Sequence, residues 1–296
     1  MFEFEWVVPS GGFQWANRKP YPDLKTFTQG ASKRFLVPVS SSAPPRIYQV
    51  FSRSALFRTF ADIHVTEEGI LEFANQYGLL GGEEYSVKIS EPDPTKENTF
   101  WPGVGNRYID WVKEIALMRH VVVDLLDNIR AGYAANLRKF IRWQPYAGGG
   151  LRVLYSGPQL PGWKGLSRII ADQSDDRTLF PSLRKGDTIR PAWLATLWIV
   201  NTQLERHPVH MVLRDNPIPE APAASLTVPP ASFIAALWTQ LGRAIADNPE
   251  TKQCEECNAY FEITTEKRSD ARFCSDKCRV RAHRKKPARK LNSERG

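Results

Sequence analysis

No cysteine occurs before position 254 of this 296-residue chain; all four lie at Cys254, Cys257, Cys274 and Cys278. That absence excludes a disulfide framework for the larger part, which has to hold itself by burying apolar surface. Long hydrophobic runs are missing as well. The richest windows, 121–126 and 193–200, fall far short of the roughly 20 residues a bilayer-spanning helix needs. The opening Met1-Phe-Glu-Phe-Glu-Trp6 has neither a basic stretch nor an apolar one, so no signal peptide and a cytoplasmic location are expected. Catalytic signatures are thin. Gly165-Leu-Ser167 lacks the closing glycine of a nucleophile elbow, Gly103-Val-Gly105 lacks the third glycine of a dinucleotide fingerprint, and no phosphate-binding P-loop occurs. His207 and His210 flank Pro208 and read as surface or packing residues, and the carboxylates of 172–176 and Asp187 as a solvated loop.

What charge there is sits at one end. The chain carries 40 Lys and Arg against 32 Asp and Glu, a net +8. Residues 267–290 alone hold 11 basic against 2 acidic side chains. The body is thus close to neutral, and a basic patch this concentrated points to a polyanion, most often nucleic acid.

Residues 1–45 are rich in Pro, Gly and Ser and read as irregular, with one or two short strands; 46–248 read as a mainly helical body, 250–290 as a small metal module and 291–296 as a disordered tail. Thr66 is placed to cap a helix over 67–77, with Ile70, Phe73, Ala74 and Tyr77 on one face and Gly78 closing it. Residues 83–105 read as loop. Trp111, Ile115, Met118, Val122, Leu125 and Ile129 then form an apolar stripe about five turns long. Gly132 breaks it ahead of a second helix near 133–143. A strand at 151–155, a mostly irregular 157–188 with a short amphipathic piece near 166–171, a helix from Pro191 to about 206, a strand at 209–213 and a helix after Pro229-Pro230 complete the body. The expected fold class is therefore mainly α with minor β.

Cys254-x2-Cys257 followed by Cys274-x3-Cys278 is spacing suited to a tetrahedral thiolate cage for one Zn²⁺, closed and therefore structural. Asn258 tolerates the left-handed backbone that a knuckle turn needs. Tyr260, Phe261 and Ile263 suit a strand, Phe273 a second, and Ser275 an N-cap that puts Cys278 on the first helical turn. On that helix Arg279, His283 and Lys286 share a face flanked by Arg281, Arg284 and Lys285, and Pro287 ends it. Such a face can neutralise phosphates, and a helix of this size fits the major groove.

A knuckle, a hairpin and a basic helix in this order resemble treble-clef zinc fingers of the CGNR type over about 35 residues. Arg268 and Arg272 match that family's arginine-rich hairpin, and Arg281 alone matches the name-giving triplet. The resemblance implies a DNA-binding regulator. DNA is favoured over RNA as partner, with Arg268, Arg272, Arg279, Arg281, His283, Arg284, Lys285 and Lys286 as contacts and the body sensing a ligand or forming a homodimer. Two other readings stand beside it: a metal-dependent nuclease that uses the finger as a tether, and a zinc-stapled protein-interaction module.

Overall fold

The computed structural model describes residues 4–17, 34–39, 41–53, 55–81, 85–88, 102–145, 151–159, 167–172, 183–209, 212–215, 224–227, 230–248, 250–263 and 270–285. Strands β1 (Glu5–Val8), β2 (Phe13–Asn17), β3 (Arg34–Pro38) and β4 (Arg46–Gln49) precede helices α1 (Leu56–Ala61) and α2 (Glu67–Tyr77). Strands β5 (Tyr85–Lys88) and β6 (Pro102–Arg107) follow. A long helix then runs as α3 (Tyr108–Arg119), a π-helical stretch at His120–Asp127, and α4 (Asn128–Arg130). After α5 (Ala134–Leu137) come β7 (Ile141–Pro145), β8 (Leu151–Ser156), β9 (Ser167–Asp172), α6 (Ile189–Arg206), β10 (Val212–Asp215), β11 (Ala224–Thr227) and α7 (Phe233–Asp247). The chain ends, among the described residues, in β12 (Thr251–Gln253), β13 (Tyr260–Glu262) and α8 (Asp276–Lys285).

This is a mixed α/β protein, which corrects the expectation of a mainly α fold. Among the described residues the strands form five small antiparallel sheets, the largest in the order β2-β3-β6-β5 and the next β7-β8-β9. Strands β8 and β13 stand where strands are expected, at 151–155 and from Tyr260; most of the others escaped the sequence reading for identifiable reasons. In β3, Phe35, Leu36 and Val37 are all buried, so the alternation that marks a half-exposed strand is absent. The Pro-Gly-Val-Gly-Asn-Arg of β6 has turn composition, yet it pairs on both sides, with β3 and β5. Residues 83–105, expected as loop, thus carry β5 and part of β6. The helix expected near 133–143 shrinks to the four residues of α5 before the chain turns into β7. Near 166–171 the amphipathic piece is β9.

Other expectations hold to the residue. Helix α2 starts after Thr66, whose Oγ1 accepts the Gly69 N–H at 3.1 Å. It stops at Gly78, where φ is 98° and a Cβ would lie 2.5 Å from the Trp6 indole nitrogen, so only glycine closes this end. The apolar stripe of the long helix is the spine of the core. Trp111, Ile115, Met118, Val122 and Leu125 are buried against Phe57 and Phe60 of α1, Phe73 of α2 and Trp238 of α7 within one continuous cluster, with Ile129 half-buried at its edge. Each such side chain removed from water contributes about 1.5–3 kcal/mol.

Candidate metal centre

The knuckle builds itself from backbone bonds. The Cys254 N–H donates to the Ala259 carbonyl at 2.9 Å, and the Asn258 N–H returns to the Cys254 carbonyl at 2.8 Å. That closure needs a left-handed residue, and Asn258 supplies it at φ 57°. The second pair is set by a helix start. Ser275 Oγ accepts the Cys278 N–H at 3.4 Å and its carbonyl accepts the Arg279 N–H at 3.0 Å, so Cys274 and Cys278 sit one turn apart on the same side. One expectation fails here: β13 pairs with β12, while Phe273 lies in no strand and packs against the cysteine cluster instead.

All four sulfurs lie within 4.8 Å of one another. The Cys257–Cys274 and Cys274–Cys278 separations are both 3.6 Å. Thiolates at about 2.3 Å from a tetrahedral Zn²⁺ stand about 3.8 Å apart, whereas a disulfide would close to about 2.05 Å. The residues therefore fit one structural zinc ion, with four sulfurs and no position left for substrate. Burial raises the Cys254 thiol, but hydrogen bonds from the backbone of Cys274, Glu256 and Cys257 outweigh it and bring the group down to about 7. Burial and then the neighbouring thiols push Cys257 up to about 12. Four sulfurs this close resist ionising together unless a cation joins them.

The module is seated on the body. Arg58 of α1, with a side chain only 10% exposed, reaches Asp127 at 2.8 Å and lies 5.8 Å from the centre of the Tyr260 ring on β13. Burial and a hydrogen bond with Asp62 push the Tyr260 phenol up to about 12.

On α8 the cysteine side turns inward, Cys278 buried and Ala282 half-buried, and the opposite side is cationic. Arg281, His283 and Arg284 are exposed and carry no ion pair among the described residues. Arg279 pairs with Asp276 at 3.0 Å, and Arg272 is held by Glu255 in a two-pronged ion pair. Lys285 closes the helix, and the side chain of Lys285, Arg268 and Lys286 lie outside the described residues. His210 and the carboxylates at 173–176 lie outside them too.

Two polar groupings escaped the sequence reading. His120 on the π-helical stretch is buried, with Nδ1 2.9 Å from Asp124 and Nε2 2.6 Å from the Tyr155 hydroxyl. Carboxylates only accept, so Nδ1 donates to Asp124; in the neutral ring Nε2 then accepts from Tyr155. The second joins Glu114 and His207 in a cleft. Its sequence signal was a carboxylate three residues after Trp111 and four before Met118, hence on the apolar side of the long helix.

No protein family, no curated protein and no solved structure matches this chain. The class rests on the site: a mixed α/β body joined to a four-cysteine module shaped for zinc. No helix among the described residues is long and apolar enough to cross a membrane.

Proposed function

We propose that this chain is a zinc-finger nucleic-acid-binding protein, a transcriptional regulator that takes DNA in preference to RNA, its body sensing a small ligand or pairing two copies. The observation that carries the reading is α8. The four-cysteine site anchors one side of this helix and leaves Arg281, His283 and Arg284 exposed and without ion pairs among the described residues. Ten residues make a rod about 15 Å long, a length that enters a major groove. Arg279 and Arg272 would exchange Asp276 and Glu255 for phosphate, since solvent screens ion pairs this exposed and holds them only weakly.

The test is a salt series of duplex DNA and RNA binding with the zinc-loaded parent and an Arg279→Gln/Arg281→Gln/Arg284→Gln variant. The parent is expected to weaken steeply with salt. The variant should lose about 3 from the slope of log affinity against log salt, with zinc content unchanged. Equal slopes for parent and variant would reject the helix as the contact surface.

A further inference from the structure

A cleft of about 350 Å³ opens in the body where the start of the long helix meets the end of α6, lined among others by Asp110, Lys113, Glu114, Arg206 and His207. Its volume is in the range of small-molecule sites. Its walls are rigid: the buried Asn106 accepts the Leu80 N–H at 2.9 Å, and the Leu80 carbonyl accepts the Ile234 N–H at 2.9 Å. Two kinds of charge face the space. Arg107 and Asp110 satisfy one another in a two-pronged pair, at 2.8 and 2.7 Å. Lys113 and Arg206 have no ion pair among the described residues, so the cleft wall carries two uncompensated cations.

The most buried charged group on the cleft wall is a carboxylate. Glu114, its side chain 10% exposed, takes a single hydrogen bond, from the Trp238 indole N–H at 3.2 Å. His207 Nε2 stands 3.6 Å from its other oxygen, too far for a hydrogen bond, and that nitrogen is buried without a partner. A carboxylate can accept about four hydrogen bonds, so Glu114 has room for further donors. The sites already described do not use this pair.

We infer that the cleft binds a small ligand bearing both an ammonium and an anionic group, an amino acid or an aminoalkyl phosphate. The ammonium donates to the free oxygen of Glu114, and the anion lies between Lys113 and Arg206. A purely anionic ligand would meet the Glu114 carboxylate, and a purely cationic one would meet Lys113 and Arg206. Requiring both groups follows from the cleft presenting a carboxylate together with two cations. The inference rests on the ligand-sensing half of the proposed function and is independent of how α8 meets nucleic acid.

The experiment titrates full-length zinc-loaded protein with β-alanine, phosphoethanolamine, ethylamine and inorganic phosphate, following the tryptophan indole N–H resonances. At least one of the two double-headed probes is expected to move an indole resonance saturably, about tenfold more tightly than ethylamine or phosphate. Which of the two binds separates carboxylate from phosphate as the anion. Arg206→Gln, at an exposed helix end, should weaken that probe about tenfold without altering the fold. Glu114→Gln should erase its advantage over inorganic phosphate. Saturation by neither double-headed probe overturns the assignment. So does binding that Arg206→Gln leaves unchanged, or equal binding of phosphate alone. Any of these would leave the DNA salt series as it stands.

Discussion

Around Trp111 and Trp238 the body encloses a continuous apolar cluster drawn from β1, β3, α1, α2, the long helix, α6 and α7. Among the described residues the C-terminal module encloses Cys254, Phe261 and Cys278, with Ile263, Ala271, Phe273 and Cys274 packed at its edge. One region can close around side chains alone; the other is too small to do so and has thiols where a core would be. The difference teaches that the two halves answer to different perturbations. Burial sets the stability of the body, and a metal ion sets that of the module, because a short segment cannot remove enough apolar surface from water to offset its chain entropy. They meet at Arg58, whose guanidinium is shared between Asp127 of the body and the ring of Tyr260.

The largest effect expected from breaking this contrast is loss of the metal. Chelation, or Cys278→Ser, should release zinc and unfold residues 250–285, a change on the order of 10 kcal/mol in the module. The body should keep its helices and its cooperative melt. Zinc content by a colorimetric chelator assay and amide hydrogen exchange by region would check it; protection lost equally throughout the chain would contradict it. Next comes the converse. Trp111→Ala opens a hole in the body and should cost about 3–5 kcal/mol in denaturant unfolding, with one zinc still bound per folded chain.

The seam gives a smaller effect. Asp127→Ala leaves the buried Arg58 charge short of a partner, at about 2 kcal/mol, discounted from a fully buried pair because the Asp127 side chain is 42% exposed. Unlike Trp111→Ala, it should also raise hydrogen exchange in β12 and β13. No change there would mean that the module and α1 are energetically separate. Thr66→Ala, which removes the cap of α2, should cost about 1 kcal/mol and leave zinc and the seam untouched, as thermal melts would show.

How far the sequence could be read follows the same division. Helix α2 was legible because its cap, its period and its terminating glycine all lie within thirteen consecutive positions, 66–78. The cage was legible because each cysteine pair is local and the thiols have few other roles. The pairing of strands into sheets was not, although β8 and β13 lie where strands are expected. Strand β3 pairs with β2 on one side, and on the other with β6, where Arg107 stands opposite Phe35 and Asn106 opposite Leu36, pairings between segments far apart in the chain. Strand β12 displaced Phe273 as the partner of β13 for the same reason, since nothing within 251–253 announces which strand it joins. The cleft was not legible: Glu114 lies unmarked on the apolar side of the long helix, and His207, expected as a surface or packing residue, gains its meaning only from standing beside it.

By itself, then, the sequence determined the long apolar helix, the capped α2, the four-thiolate site and the cationic character of α8, because each depends on contacts within a few turns. The tertiary structure alone decided the five sheets, the seat of the module on Arg58, and the opposed charges of Glu114 with Lys113 and Arg206 in one cleft. Those depend on which distant segments share a surface, and that choice is made by burying the whole core at once.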